Sequence, residues 1–161
     1  MKDVLWQSGD SVSTDTVIMD FLAGEDVVLD RELFPFDIRA TAAHIRGLQR
    51  IGVMDEQECQ TLCKWLDSLL QEFESGSFVL DSRFEDGHSA IEMYLTEKAG
   101  SSGARVHTGR SRNDQVAVAT RLYLKNALGR VAAHTSAIAK ACLQQAEQNA
   151  DLPMPGYTHL Q

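Results

Sequence analysis

Residues 112–149 read RNDQVAVATRLYLKNALGRVAAHTSAIAKACLQQAEQN, and this stretch decides the fold. Its apolar and small side chains recur at steps of three or four residues, the spacing of one helix face: Val116, Thr120, Leu124, Leu128, Val131, Thr135, Ile138 and Cys142. No proline occurs between Phe36 and Leu152 to interrupt such a helix. At a rise of 1.5 Å per residue the predicted helix is about 55 Å long. The sequence therefore predicts an all-α fold.

This predicted helix is longer than the domain that the chain can form. A compact globule of 161 residues has a radius of gyration of about 15 Å, and hence a diameter of about 40 Å. The apolar face of the helix is therefore expected to find partners in other subunits or in further sequence. The last residues, Met154-Pro-Gly-Tyr-Thr-His-Leu-Gln161, stop just after a turn-forming Pro-Gly pair, so we expect that the chain is truncated.

Three shorter helices are predicted upstream of the long one. Apolar residues at helical spacing predict the first helix over residues 34–48, with Pro35 in its first turn. The second is predicted over residues 55–76, where Asp55 opens a capping box. The third is predicted from about residue 86 to residue 98. Loops join these predicted helices, and no strand is predicted.

The composition excludes several classes of protein. The chain has 23 acidic and 15 basic residues, a net charge of -8, so no nucleic-acid partner is expected. No apolar run reaches the roughly 20 residues of a membrane span, and the start does not resemble a signal peptide. We therefore expect a cytoplasmic protein with no membrane partner. Its three cysteines are expected to be reduced, and Cys59 with Cys63 supplies too few ligands for a metal site.

The polar segment before the long helix is the strongest candidate for a site. A helix start presents unpaired N–H groups and a partial positive charge, which suits a carboxylate or phosphate. The polar side chains at this start are Thr108, Arg110, Ser111, Arg112 and Asn113. Ser111 and Asp114 also form a plausible capping box, so an ordinary capped helix with solvated arginines is the competing interpretation.

Histidine is the side chain best matched to proton transfer near neutral pH. His44 and His134 lie inside predicted helices and are interpreted as structural. His88 follows Asp86 at a helix start, where a functional and a structural role are equally compatible with the pattern. His159 lies in a loop beside the hydroxyl of Thr158, and loops commonly display catalytic groups.

Four stretches resemble the argininosuccinate lyase family. Residues 107–115, HTGRSRNDQ, resemble its HTxRSRNDQ segment, and residues 156–161, GYTHLQ, are similar to its GYTHLQ segment. Residues 85–92, EDGHSAIE, resemble its EDxHxxIE segment, and residues 37–44, DIRATAAH, resemble its early helix. The resemblance covers nearly the whole chain in the same order. Related fumarase-like and aspartase-like proteins share a Thr-His segment, but not the Ser-Arg-Asn-Asp-Gln run.

The resemblance implies an all-helical homotetramer with a central bundle of long helices and active sites built from three subunits. Residues 1–111 would form an N-terminal helical domain with substrate-binding loops. Residues 112–161 would begin the central bundle, which is incomplete in this chain. The implied reaction is cleavage of the small-molecule substrate argininosuccinate to arginine and fumarate, the last step of arginine biosynthesis, without a cofactor.

The resemblance also implies roles for particular residues. Ser111, Arg112 and Asn113 would bind substrate carboxylates. The catalytic residues would be Thr158, which holds a carboxylate from another subunit, and His159, which assists proton transfer. The same substrate-binding pocket would include Asp86, His88 and Thr108.

Two departures from the family accompany this resemblance. The family's flexible loop with its catalytic serine lies beyond residue 161, so the chain by itself is expected to be inactive. Where the family has a substrate-binding serine four residues before the aspartate of an Asp-Arg-x-Leu stretch, this sequence has Asp26 before Asp30. Two alternatives remain open: another fumarate-releasing lyase with a different substrate, or a non-catalytic helical oligomer like the delta-crystallins of the lens.

Overall fold

The computed structural model describes residues 25–159 and Gln161, except for the side chain of Asp26. The described part is helical and contains no strand, which confirms the predicted all-α class. Its α-helices are α1 (Asp26–Arg50), α2 (Glu56–Glu74), α3 (Gly87–Ala99) and α4 (Arg112–Gln148). A 3-10 helix, Gly100–Arg105, directly follows α3. None of the described helices is long and apolar enough to cross a membrane.

The start of α1 corrects one prediction. Pro35 does not lie in the first turn, because the helix begins at Asp26 and the proline is in its interior. A proline there cannot donate to the carbonyl of Arg31, four residues earlier. The helix continues through it because Val27, 4% exposed, lies on the same buried face as Phe34, two turns further on. Burial of these side chains offsets the missing hydrogen bond.

Helix α2 begins and ends where the sequence predicts. Asp55 accepts a hydrogen bond from the Glu58 N–H at 2.7 Å, and the Glu58 carboxylate accepts one from the Asp55 N–H at 3.1 Å, so the predicted capping box is confirmed. The buried face of α2 packs into a core shared with α1 and α3. The fully buried side chains of this core include Phe34, Ile45, Leu62, Leu66, Leu69, Ile91 and Leu95.

The 3-10 helix was not predicted, and it packs closely on α3. Ser102 donates to the Glu58 carboxylate of α2 at 2.6 Å, and Arg105 also binds that carboxylate. Gly103 is buried, and a Cβ atom at this position would lie 2.2 Å from the backbone oxygen of Leu95. Only glycine therefore fits between the two segments.

Replacing Gly103 by alanine is expected to lower the free energy of unfolding by about 2–3 kcal/mol, because the added carbon meets backbone rather than a movable side chain. Gly129 is the matched control, because a Cβ there meets nothing within 4 Å and alanine favours the interior of α4. Gly129→Ala should raise stability by up to about 1 kcal/mol. Urea unfolding measures both changes. Equal stabilities for Gly103→Ala and the original protein would contradict the close packing of these segments.

The long helix α4 confirms the central sequence prediction, with 37 residues from Arg112 to Gln148. The described residues divide into two compact units, with the division between Tyr123 and Leu124, inside α4. In the first unit, the Tyr123 ring meets the Phe36 ring of α1 edge to face, with centroids 5.8 Å apart. In the second unit, apolar side chains of the predicted face are exposed: Leu124, Leu128, Val131 and Ile138. The predicted domain boundary between residues 111 and 112 remains a prediction.

Candidate functional site

The start of α4 is capped as the sequence predicts. Asp114 Oδ2 accepts from the Ser111 N–H at 2.9 Å and from the Ser111 hydroxyl at 3.0 Å. These bonds lower the pKa of Asp114, the main-chain bond being the stronger influence. The carboxylate therefore stays ionised and fixes the backbone turn that leads into the helix.

Beyond the cap, the helix start keeps donors for an anion. No described residue accepts from the main-chain N–H groups of Arg112 and Asn113. The Asn113 side chain is exposed and makes no hydrogen bond within the described part of the chain. Two main-chain donors and an amide thus lie at the positive end of a long helix, which is an arrangement that binds carboxylates.

Arg112 joins this helix start to the start of α3. Its Nε lies 3.0 Å from Asp86 Oδ2, and its NH2 group donates to the Ser89 hydroxyl at 3.1 Å. Asp86 is itself the N-cap of α3, since its Oδ1 accepts from the Ser89 N–H at 2.7 Å. A second carboxylate, Glu85, lies 3.9 Å from the guanidinium. Two predicted substrate-binding residues, Asp86 and Arg112, are therefore in direct contact.

His88 is the second residue of α3 and is nearly buried, at 6% exposure. Its Nδ1 lies 2.5 Å from Asp37 Oδ2 of α1. The two groups are therefore in direct contact, although neither atom has a regularly aligned hydrogen-bond partner among the described residues. The ring also borders a cavity of about 20 Å³ that Gly87 and Val116 help to line. His88 thus connects α1 with the start of α3.

Arg110 and His107 extend this polar cluster towards α4. The NH2 group of Arg110 donates to the Thr41 hydroxyl at 3.1 Å and to His107 Nδ1 at 3.0 Å. Because a guanidinium can only donate, Nδ1 of His107 is the acceptor and the neutral ring carries its proton on Nε2. Burial, reinforced by the Arg110 charge, lowers the pKa of His107 to about 4. His107 is therefore neutral at physiological pH.

Thr108 is held through its backbone. His44 Nε2 donates to the Thr108 carbonyl at 3.0 Å, which fixes the loop against α1. The Thr108 hydroxyl donates to the Arg105 carbonyl at 2.7 Å. Its predicted contact with substrate stays a prediction, whereas His44 has a definite structural role that agrees with its interpretation from sequence.

His107 makes stability depend on pH in a defined interval. Its pKa is about 4 in the folded protein against 6.5 as the ordinary value, so between these pH values the unfolded state binds more protons. The stability that the neutral His107 ring contributes is therefore fully present above pH 6.5 and is lost as the pH falls to about 4. The difference corresponds to about 3 kcal/mol. Asp114, whose pKa is lowered from 3.8, titrates below this interval.

The variant His107→Gln keeps an acceptor for Arg110 but cannot titrate. Between pH 6.5 and pH 4, we expect the free energy of unfolding of this variant to fall by about 3 kcal/mol less than that of the original protein. Urea unfolding at a series of pH values gives the comparison. His134→Gln, an exposed position in α4, is the control and should keep the original pH dependence. Identical slopes for His107→Gln and the original protein would show that His107 is not held neutral by its surroundings.

Thr158 and His159 belong to the second compact unit of the chain. Thr158 and Gln161 close a turn, in which the Thr158 N–H donates to the Gln161 carbonyl at 2.9 Å and the Gln161 N–H donates back at 3.0 Å. His159 lies in the left-handed region of backbone conformation, with φ of 53°. Both side chains are exposed at this turn. Their catalytic roles remain predictions.

Asp30 accepts from the Gly87 N–H at 2.8 Å and so supports the start of α3. Burial is the largest influence on Asp30 and raises its pKa.

The side chain of Asp26, on which the predicted departure from the family's serine depends, lies outside the described residues. Within the described part of the chain no three histidine, cysteine or acidic side chains are grouped to hold a metal ion. Cys59 and Cys63 pack against the core of the first unit.

Sequence reasoning missed Asp37 and Arg110 as members of the buried cluster and assigned no role to His107. A signal for Asp37 was present, because this acidic residue stands beside Ile38 on the apolar face that runs from Phe34 to Thr41. A charged residue on a core face is buried only with a partner. Its partner, His88, lies far away in sequence, so the pairing could not be read from the pattern.

In its described part the protein is helical, and a long helix begins with donors that no described residue occupies, beside the capped start of a second helix. A family model described as lyase matches residues 11–161 of the sequence. The chain belongs to this lyase family.

Curated argininosuccinate lyases are similar to the chain over all 161 of its residues. The protein from Stenotrophomonas maltophilia (strain R551-3) is 55% identical. Those from Xanthomonas oryzae pv. oryzae (strain PXO99A) and Xanthomonas axonopodis pv. citri (strain 306) are each 53% identical. The chain spans 37% of the length of each of these relatives.

Proposed function

We propose that this chain is part of an argininosuccinate lyase, which cleaves argininosuccinate to arginine and fumarate in arginine biosynthesis. The observation that carries the proposal is the start of α4, where main-chain N–H groups and the Asn113 amide remain available to an anion. Argininosuccinate carries carboxylates that such a helix start can bind. Membership in the lyase family and 55% identity to an argininosuccinate lyase support the choice of reaction.

The chemistry explains why donors are needed there. In the elimination, a proton leaves the carbon next to a carboxylate, the carbon–nitrogen bond breaks, and the guanidinium nitrogen departs with the electron pair. Negative charge grows on the neighbouring carboxylate as the proton leaves. Donors fixed on that carboxylate lower the barrier, and we assign Arg112 and Asn113 to this task, joined by Ser111 when its hydroxyl turns from Asp114 to the substrate. The Asp86 contact holds Arg112 in place, and Thr108 and His88 complete the pocket.

Thr158 and His159 are proposed to complete a site from another subunit. A threonine hydroxyl can donate to a second substrate carboxylate, and a neutral imidazole can relay a proton. The exposure of both side chains at a hydrogen-bonded turn supports such a role. We expect no cofactor, because the elimination needs only proton transfer and charge stabilisation.

The same proposal includes assembly as a homotetramer through the long helices. Large apolar side chains of α4 in the second unit are exposed, and Leu128 is 66% exposed. Such a face favours association with similar helices, at crossing angles of about 20°. We place the protein in the cytoplasm, with a small-molecule substrate and with neither nucleic acid nor membrane as a partner.

The proposal is tested by assaying the full-length protein for fumarate release from a panel of substrates. We expect release from argininosuccinate and none from other succinyl or N-acetylated amino-acid compounds. Release from a different succinyl compound alone would assign another lyase of the family. No release from any of them would favour a non-catalytic helical oligomer.

A further inference from the structure

Asp37 is a carboxylate placed inside the helical core of the first unit, at 2% exposure. It lies on α1 and lines a small cavity together with His88 and Val116. Its Oδ2 lies 2.5 Å from His88 Nδ1, and no described residue gives either of its oxygens a regularly aligned hydrogen bond. A buried charge of this kind is costly unless neighbouring groups compensate it. The identity of those neighbours therefore indicates what the carboxylate does.

One neighbour is His88, at the start of α3. A carboxylate accepts and does not donate, so a proton shared across this 2.5 Å contact has to come from Nδ1 of the imidazole. Such a proton would fix the tautomer and the plane of the ring, and would leave Nε2 as the nitrogen that can accept a proton or a hydrogen bond.

A second group influenced by the Asp37 charge is Arg110, which precedes α4 by two residues. Burial lowers the pKa of Arg110, and the Asp37 charge opposes that effect. Arg110 in turn binds Thr41 of α1 and His107. Asp37 thus contacts the start of α3 at His88, lines a small cavity together with Val116 of α4, and favours the charged form of Arg110.

We propose that Asp37 is a positioning residue: its carboxylate fixes the tautomer and orientation of His88 at the start of α3. The importance for catalysis rests on the proposed function, whereas the tautomer of His88 is a property of the fold. Asp37 is buried and acts through His88 rather than on the substrate.

The kinetic test uses the full-length protein with Asp37→Asn, His88→Gln and the double variant, assayed on argininosuccinate. Asn preserves the size of Asp37 but presents a neutral amide. We expect Asp37→Asn to lower kcat by about tenfold or more while KM changes by less than about threefold, as when a histidine loses the carboxylate that orients it. Because Asp37 acts through His88, the double variant should be no slower than His88→Gln alone.

Ile45→Val is the matched control, since it removes one buried methylene from the same face of α1 outside the cluster. It should lower stability slightly with kcat unchanged. Losses in kcat that multiply in the double variant would show that Asp37 acts independently of His88, and would overturn the proposal. An unchanged kcat in folded Asp37→Asn would also overturn it.

A second measurement covers the cases in which Asp37→Asn does not fold or argininosuccinate is not the substrate. Nitrogen NMR of the full-length protein with labelled histidine reports which ring nitrogen carries the proton. The signals that disappear in His88→Gln identify His88. A proton on Nδ1 would support the proposal even if the proposed reaction failed. A bare Nδ1 with the proton on Nε2 would overturn it, whatever the reaction.

Discussion

His159→Asn in the full-length protein is expected to lower kcat for argininosuccinate by about 10²–10⁴-fold while KM changes little. A group that moves a proton in the transition state contributes to the rate in this range and little to ground-state binding. Asparagine is the appropriate replacement, because residue 159 has a φ of 53° and asparagine, like histidine, tolerates that conformation. The turn formed by Thr158 and Gln161 should therefore persist in the variant.

Steady-state kinetics of fumarate release measure this effect, and His134→Asn is the control at an exposed position in the middle of α4. The control should keep the original kcat and KM. If His159→Asn raised KM and left kcat unchanged, His159 would be a binding residue rather than a proton relay.

The second large effect is expected at the two proposed carboxylate donors. Asn113→Ala and Thr158→Ala should each lower kcat/KM by an amount that corresponds to roughly 2–4 kcal/mol, the loss for one preorganised donor to a developing charge. Both side chains are exposed, so the free energy of unfolding should stay nearly unchanged.

Asn126→Ala and Thr135→Ala are matched controls, since both residues are exposed on α4. They should leave kcat/KM at its original value. Unchanged values for Asn113→Ala and Thr158→Ala as well would refute the assignment of these residues to substrate carboxylates. A loss confined to one of the two would assign the carboxylate to that residue alone.

The parts of the fold that depend on local interactions were predictable from sequence. The capping boxes at Asp55 and Ser111 link residues three positions apart, so the pattern of residue types reveals them directly. The bounds of α4 followed from helical spacing and from the lack of proline. The α3 start at Asp86 was predicted for the same local reason.

Other features depend on contacts between distant segments. The interior position of Pro35 depends on burial of Val27, and the 3-10 helix depends on the fit of Gly103 against α3. Local propensity favours neither, because tertiary packing overrides it.

The candidate site divides in the same way. The residues that face outwards at the start of α4, such as Asn113, were found from sequence because the motif marks them. His88 was also named from the motif, but its supporting contact with Asp37 was not predicted, since that contact joins α1 to α3. Arg112 illustrates both cases: its place at the helix start was predicted, but its ion pair with Asp86 was not.

The start of α4 is proposed to bind a carboxylate of argininosuccinate. The most direct test is a crystal structure of the full-length His159→Asn variant with argininosuccinate bound. We predict a substrate carboxylate within about 3 Å of the Asn113 side-chain amide and of a main-chain N–H at the start of α4. A structure in which the carboxylates of the bound substrate all lie elsewhere, with this helix start open to solvent, would contradict the claim.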